Sequence, residues 1–195
     1  MKRIIAILLA VILITSLTAC GKDTTSGSQE TKDIKADGGK TLIVYFSWSN
    51  NTQTMANYIH DRIGGDIERI EPVEAYPEDY DATADLAKAQ RDNDERPAFK
   101  ALQYNPEDYD TIFIGYPIWW YELPMIMRTF FDTYDLSGKT IVPFNTHEGS
   151  GDGGTYDQIA KLEPNAVMLK GLPIRGGDIS GARDEVNDWL KQFGY

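Results

Sequence analysis

Residues 41–54 read TLIVYFSWSNNTQT. The first half, 41–46, is rich in β-branched and aromatic side chains, which suits a strand buried on both faces of a parallel sheet. The second half holds Ser47, Trp48, Ser49, Asn50, Asn51 and Thr52, five of which are small hydroxyl or amide residues. In residues 53–63, Met55, Ala56, Tyr58, Ile59 and Ile63 have the spacing of a helix with one apolar face. The order is buried strand, polar loop, helix. In a parallel sheet such a loop lies at the carboxyl ends of the strands, and the helix turns its free N–H groups into it. A helix start of that kind favours an anion, through its free donors and the positive end of its dipole. The loop itself holds no Lys or Arg. A phosphate there would be bound by hydroxyls, amides and backbone donors, without ion pairs. The competing reading is an ordinary N-cap, which needs one such residue and not five.

Downstream, residues 66–73 interleave Ile67, Ile70 and Val73 with charge and read as a second strand. Residues 71–95 hold nine acidic side chains against Lys88 and Arg91, with Pro72 and Pro77 near the start. A short exposed helix is expected over 81–92, and the charge run reads as a solvated face. Its functional alternative is repulsion of anions or docking of a basic redox partner. Residues 109–116, YDTIFIGY, read as a third strand that runs into Pro117, Ile118, Trp119, Trp120 and Tyr121. Four aromatics in the six positions 116–121 are too many to leave in water without a purpose. A helix is expected over 123–134 and a fourth strand over 140–145. The next stretch, THEGSGDGG over 146–154, has four glycines in six positions, which lets a backbone pass close to a flat or charged ligand. A helix over 156–162, a fifth strand over 166–172 and a closing helix over 181–193 complete the chain. Five strands alternating with helices predict a parallel sheet covered on both faces, joined by right-handed crossovers.

Upstream, Lys2 and Arg3 precede the apolar run 4–17, which has the pattern of an export signal. At 14 residues the run is short for a spanning helix, which needs roughly 20. It ends in Leu17, Thr18, Ala19, Cys20 and Gly21, which resembles the bacterial lipobox. That resemblance implies a signal peptide over 1–19 and a lipidated Cys20. It also implies an extracytoplasmic protein anchored to the bacterial cell membrane; a buried cysteine is the alternative. Acyl chains anchor firmly, each buried CH₂ contributing about 0.8 kcal/mol. Residues 20–39 are polar and read as a flexible tether, leaving 40–195 as the folded domain. The whole chain has 195 residues, 42% hydrophobic, enough for one domain with a real core. Its net charge is −11, and loss of Lys2 and Arg3 with the signal would take it to −13. Such a balance argues against nucleic acid as a partner. One cysteine forbids an internal disulfide, and with His60 and His147 as the two histidines no zinc site of His and Cys is expected.

Three loops carry unusual chemistry, and they follow strands one, three and four. In a doubly wound sheet of order 2-1-3-4-5, strands one and three are neighbours where the winding reverses. The hydroxyl loop, the aromatic loop and the glycine loop would then share one rim. One can hold a phosphate, one supplies flat apolar walls, and one supplies backbone groups for a polar ring edge. Flavin mononucleotide (FMN) has those three needs in one molecule.

Over residues 40–195 the chain resembles the flavodoxin family. The phosphate loop of that family typically reads Ser/Thr-x-Thr-Gly-Asn-Thr. Here Ser47, Asn51 and Thr52 match, Ser49 replaces Thr, and Asn50 stands where Gly is usual. Asn tolerates a left-handed backbone better than most residues. GYPIWW and THEGSG look like the second and third flavin loops of flavodoxin-like proteins. The resemblance implies that Ser47, Ser49, Asn50, Asn51 and Thr52 bind the FMN phosphate. Pro117, Ile118, Trp119 and Trp120 would line the isoalloxazine ring, one indole in the core and one on the flavin. Thr146, His147, Glu148, Gly149 and Gly151 would approach the pyrimidine edge, with a capping or surface role as the rival for His147.

The flavin would do the redox work and the protein would tune it. A reduced flavin tends to become an anion, which a domain of this acidity disfavours, so a low reduction potential is expected. No side chain reads as an essential acid, base or nucleophile. Ser150 fails the Gly-x-Ser-x-Gly pattern because Glu148 and Asp152 stand at the outer positions. Two readings follow. The first is a membrane-tethered FMN protein, a carrier or FMN-dependent oxidoreductase serving a redox partner protein or a small acceptor such as a quinone. The second is a flavin-free extracytoplasmic binding module of the same fold.

Overall fold

The computed structural model describes residues 39–195. The expected signal segment, Cys20 and all of the tether but Gly39 lie outside them. The described elements are β1 (Thr41–Tyr45), α1 (Asn51–Ile63), β2 (Asp66–Arg69) and α2 (Tyr80–Asp92), then β3 (Thr111–Pro117), α3 (Met125–Thr133) and β4 (Thr140–His147). They continue with α4 (Thr155–Leu162), β5 (Val167–Met168), β6 (Leu172–Arg175) and α5 (Arg183–Lys191). All pairings between these strands are parallel, in the order β2-β1-β3-β4-β5, with β6 also on β4. The expected order 2-1-3-4-5 is the observed one.

Alternation along the strands builds two cores. Leu42, Val44, Ile112, Ile114 and Tyr116 face one side, where Ile126, Met127 and Phe130 of α3 and Ile159 of α4 meet them. Ile43, Tyr45, Phe113, Val142 and Phe144 face the other, against Met55, Ala56 and Ile59 of α1 and Val186, Trp189 and Leu190 of α5. Helices therefore cover both faces, which is why β1, β3 and β4 read as nearly unbroken apolar runs. Among the described residues, no helix is long and apolar enough to cross a membrane.

Two strands are shorter than expected by more than one residue, and a proline explains each. Ile70 N–H donates to the Tyr45 carbonyl at 2.7 Å. The next donor on that side would belong to residue 72, which is proline. The chain leaves β1 there, and Pro72 bridges Phe99 antiparallel instead. The expected fifth strand, 166–172, stops at Met168 and resumes as β6. Leu169 N–H donates to the Ile141 carbonyl at 2.9 Å, so odd-numbered residues of β4 turn toward β5 and β6. Pro143 is the next of these and has no N–H to offer. The register opens there: Ile141 stands opposite Met168 and Phe144 opposite Leu172, so three residues face two.

Glu163, which ends α4, is buried. Burial outweighs a hydrogen bond with the Leu136 backbone and raises its carboxyl above the usual range. The native state then holds this proton more tightly than the unfolded chain does. Its contribution to stability falls as pH rises above the ordinary Glu value of about 4.3. Glu163→Gln should raise the melting temperature near pH 7 and change it less near pH 4. An equal change at both would mean that packing, not ionisation, separates the two side chains.

Candidate functional site

The loop after β1 turns on Asn50, the N-cap of α1, at φ 68°, in the left-handed region. Its side chain makes no cap hydrogen bond. Ser47 is 2% exposed, and its Oγ accepts from Gln53 N–H at 3.3 Å. The N–H groups of Asn51 and Thr52 have no acceptor among the described residues. Ser49 and Asn50 are exposed beside them. The helix mouth thus keeps free donors after Ser47 has satisfied one. Thr52 is buried and its Oγ1 lies 2.8 Å from Thr146 Oγ1, which ties the first loop to the end of β4.

A cation attends this loop, which the sequence reading missed. The β1–β2 register sets Arg69 opposite Tyr45, at the carboxyl end of β2. Arg69 Nη2 donates to the Ser47 carbonyl. Its Nη1 donates to Asn50 Oδ1 and to Gln53 Oε1, each at 3.4 Å. The available signal was strand order: with 2 beside 1, the last residue of strand two borders the first loop.

The aromatic loop is a tight hairpin. Trp119 and Glu122 exchange both backbone hydrogen bonds, at 3.2 and 3.0 Å. The two residues between them, Trp120 and Tyr121, have φ of 54° and 60°. Asn and Gly usually fill such positions, because L side chains crowd the backbone there. Trp119 packs edge-on against Phe46 and Tyr76, with centroids 5.4 and 5.0 Å away. Trp120 is 44% exposed and leans on α2. Its Nε1 donates to the Ala84 carbonyl at 2.9 Å, and Arg91 sits over its ring. Pro117 ends β3, and Ile118 N–H donates to the Thr146 carbonyl at 2.8 Å.

The glycine loop is held from beneath by a buried polar network. Asn145 is wholly buried; its Nδ2 donates to the Gly151 carbonyl at 3.1 Å and its Oδ1 accepts from the Tyr156 hydroxyl at 2.6 Å. Thr155 Oγ1 donates to the Asp152 carbonyl at 2.6 Å and lies 3.0 Å from the Tyr116 hydroxyl. Burial raises the titration of both tyrosine hydroxyls, so they stay neutral partners. His147 Nδ1 accepts from Gly149 N–H at 2.9 Å, which requires that nitrogen to be unprotonated. Gly153 fits where a Cβ would lie 3.2 Å from Ile118 Cγ2, so the glycine and aromatic loops touch. At Gly176 a Cβ would meet Asn51 Nδ2 and Glu148 Oε1 at 2.5 Å, which sets the residue after β6 between the first and third loops.

A cavity of about 380 Å³ opens among these loops. Trp48, Ile118, Trp119, Trp120, Glu148 and Gly149 form part of its wall. Tyr121 and Ser150 add to it, and Tyr80, Thr83, Ala84 and Ala87 of α2 form the rest, at one-face helical spacing. The expected exposed helix therefore turns one stripe inward. Small residues at 83, 84 and 87 were its signal. Both tryptophans line the cavity; Trp119 also packs into the core beneath, and Trp120 onto α2. Pro117, Thr146, His147 and Gly151 are not part of this lining, and neither are Ser47, Ser49, Asn50, Asn51 and Thr52. Among the described residues, no group of three or more His, Cys, Asp or Glu side chains is placed to hold a metal ion.

Comparison with known proteins agrees with this geometry. The sequence profile of the flavodoxin family matches residues 40–193, and the chain belongs to that family. No protein of curated function matches significantly. The chain is similar to the crystal structure of a candidate flavoprotein from Bacteroides eggerthii, at 30% identity and TM-score 0.70, over 80% of this chain and 99% of that one. A candidate flavoprotein from Bacteroides uniformis gives 31% identity and TM-score 0.67, over 79% and 99%. A flavoprotein from Lactobacillus acidophilus, solved in complex with FMN, gives 25% identity and TM-score 0.62, over 78% and 99%.

The hairpin can be tested alone. Tyr121 is 69% exposed, so removing its ring sacrifices little packing. Tyr121→Gly should stabilise the fold by about 1 kcal/mol in urea denaturation, the cost of one left-handed L residue. A loss of stability would show that the ring does more than its exposure allows.

Proposed function

We propose that the domain binds FMN on the rim formed by its three loops. In this role it would carry electrons or reduce a small acceptor. One observation carries the reading: a helix mouth with free donors and an indole-walled cavity are built from loops that share one edge of the sheet. The residues fit the ligand. Free N–H groups of Asn51 and Thr52, with Ser47 and Ser49 beside them, suit an ester anion. Trp119 and Trp120 suit a flat ring, and Glu148 and Gly149 offer polar groups at its edge. The FMN complex of the Lactobacillus acidophilus relative supports the choice of ligand. FMN would supply the redox chemistry. The chain's own part would be to anchor the ester and orient the ring against the tryptophan-lined wall. Its net negative charge disfavours electrons added to a bound flavin. The purified protein should bind one FMN and quench its fluorescence, with a reduction potential below that of free FMN. A colourless protein that leaves FMN fluorescence unchanged would point to the flavin-free binding module instead. A potential above that of free FMN would contradict the electrostatic argument.

We further propose that Cys20 carries a lipid and tethers the domain to the outer side of a cell membrane. The apolar run before Cys20 and the polar stretch after it support this reading. Cys20→Ser should move the protein from the membrane fraction to the soluble one. An unchanged distribution would remove the tether.

A further inference from the structure

Arg69 touches the first loop at three residues: the Ser47 carbonyl, Asn50 Oδ1 and Gln53 Oε1. These flank and include the left-handed turn. Gln53 N–H is also bonded to Ser47 Oγ, so the guanidinium closes a ring of contacts around the helix mouth. Asn50 uses its side-chain oxygen on Arg69 and not on capping the helix. The position thus combines a backbone that Asn tolerates with an acceptor that Gly lacks. Arg69 is partly enclosed, with 28% of its side chain exposed, and its Nε lies 3.3 Å from Glu71 Oε1 without hydrogen-bond geometry. Glu71 is the more exposed of the pair, at 49%, so water screens its charge more than it screens the guanidinium. The guanidinium, and not Glu71, is the group in contact with this loop, in a chain whose overall charge is −11.

We infer that Arg69 is a positioning and specificity-determining residue that makes the site selective for a phosphorylated flavin over an unphosphorylated one. The inference rests on the FMN reading above. The fork holds the loop in its turned shape and sets a positive charge beside it. The free N–H groups of Asn51 and Thr52 then receive the ester. A dianionic ester gains from that charge, and riboflavin, which has no ester, does not.

The test is the dissociation constant of the purified full chain for FMN and for riboflavin, in low and moderate salt. Arg69→Gln removes the charge and keeps an amide donor. It should weaken FMN by about tenfold or more while riboflavin changes by less than about threefold, because charged hydrogen bonds contribute more than neutral ones. The salt dependence of FMN binding should shrink with it. Arg69→Lys keeps the charge without the fork and should retain most of the preference for FMN. Equal weakening of both flavins by Arg69→Gln, or unchanged FMN binding, would overturn the inference and leave the FMN site standing. Loss of the preference in Arg69→Lys as complete as in Arg69→Gln would overturn the role of charge. A wild-type chain that binds neither flavin would overturn the site reading itself, and this inference with it.

Discussion

Parallel pairing can be continued only by carrying the chain back across a face of the sheet. Every strand therefore ends at the same border, and every loop that leaves a strand end gathers there. In this chain β1 lies between β2 and β3, with windings that run in opposite directions from it. The loops after β1 and β3 must part to opposite faces, and a cleft opens between them. The rest of the site is detail added to that cleft. Thr52 and Thr146 link the first loop to the end of β4, and Gly153 lets the glycine loop close against the aromatic hairpin.

The helix mouth and the cavity wall are stabilised by different means. At the mouth, the backbone adopts a left-handed turn at a residue that bears it easily, and a guanidinium from the neighbouring strand holds it. At the wall, two large aromatics occupy backbone positions that crowd them. Neither is glycine, and the hairpin persists because Trp119 packs against Phe46 and Tyr76 while Trp120 is bonded to α2. Backbone strain of this kind survives where the surroundings over-determine the conformation, and it gathers at ligand clamps.

Much of the fold was legible because it depends on local pattern. The runs at 41–46, 109–116 and 140–145 are apolar on both faces, and their alternation with amphipathic stretches leaves few architectures. The three chemically unusual loops were visible for the same reason. Arg69 was not, because its role arises from lateral pairing between strands whose ends are some twenty residues apart in the chain. The inward stripe of α2 was hidden by its acidic neighbours: charge on one face of a helix says little about the opposite face. The break opposite Pro143 was concealed by parity. A proline inside an apolar run looks tolerable until the direction of its missing donor is known.

That break shapes the border of the sheet beyond β4. The outermost strand beyond β4 is delivered as two residues and then four, kinked between them, with Pro173 inside the second piece. At the other border β2 has four residues, three of them the charged Asp66, Glu68 and Arg69. Neither flank presents a long, flat row of unpaired amides. A neighbouring copy would find little to zip onto, so the open sheet resists edge-to-edge self-association.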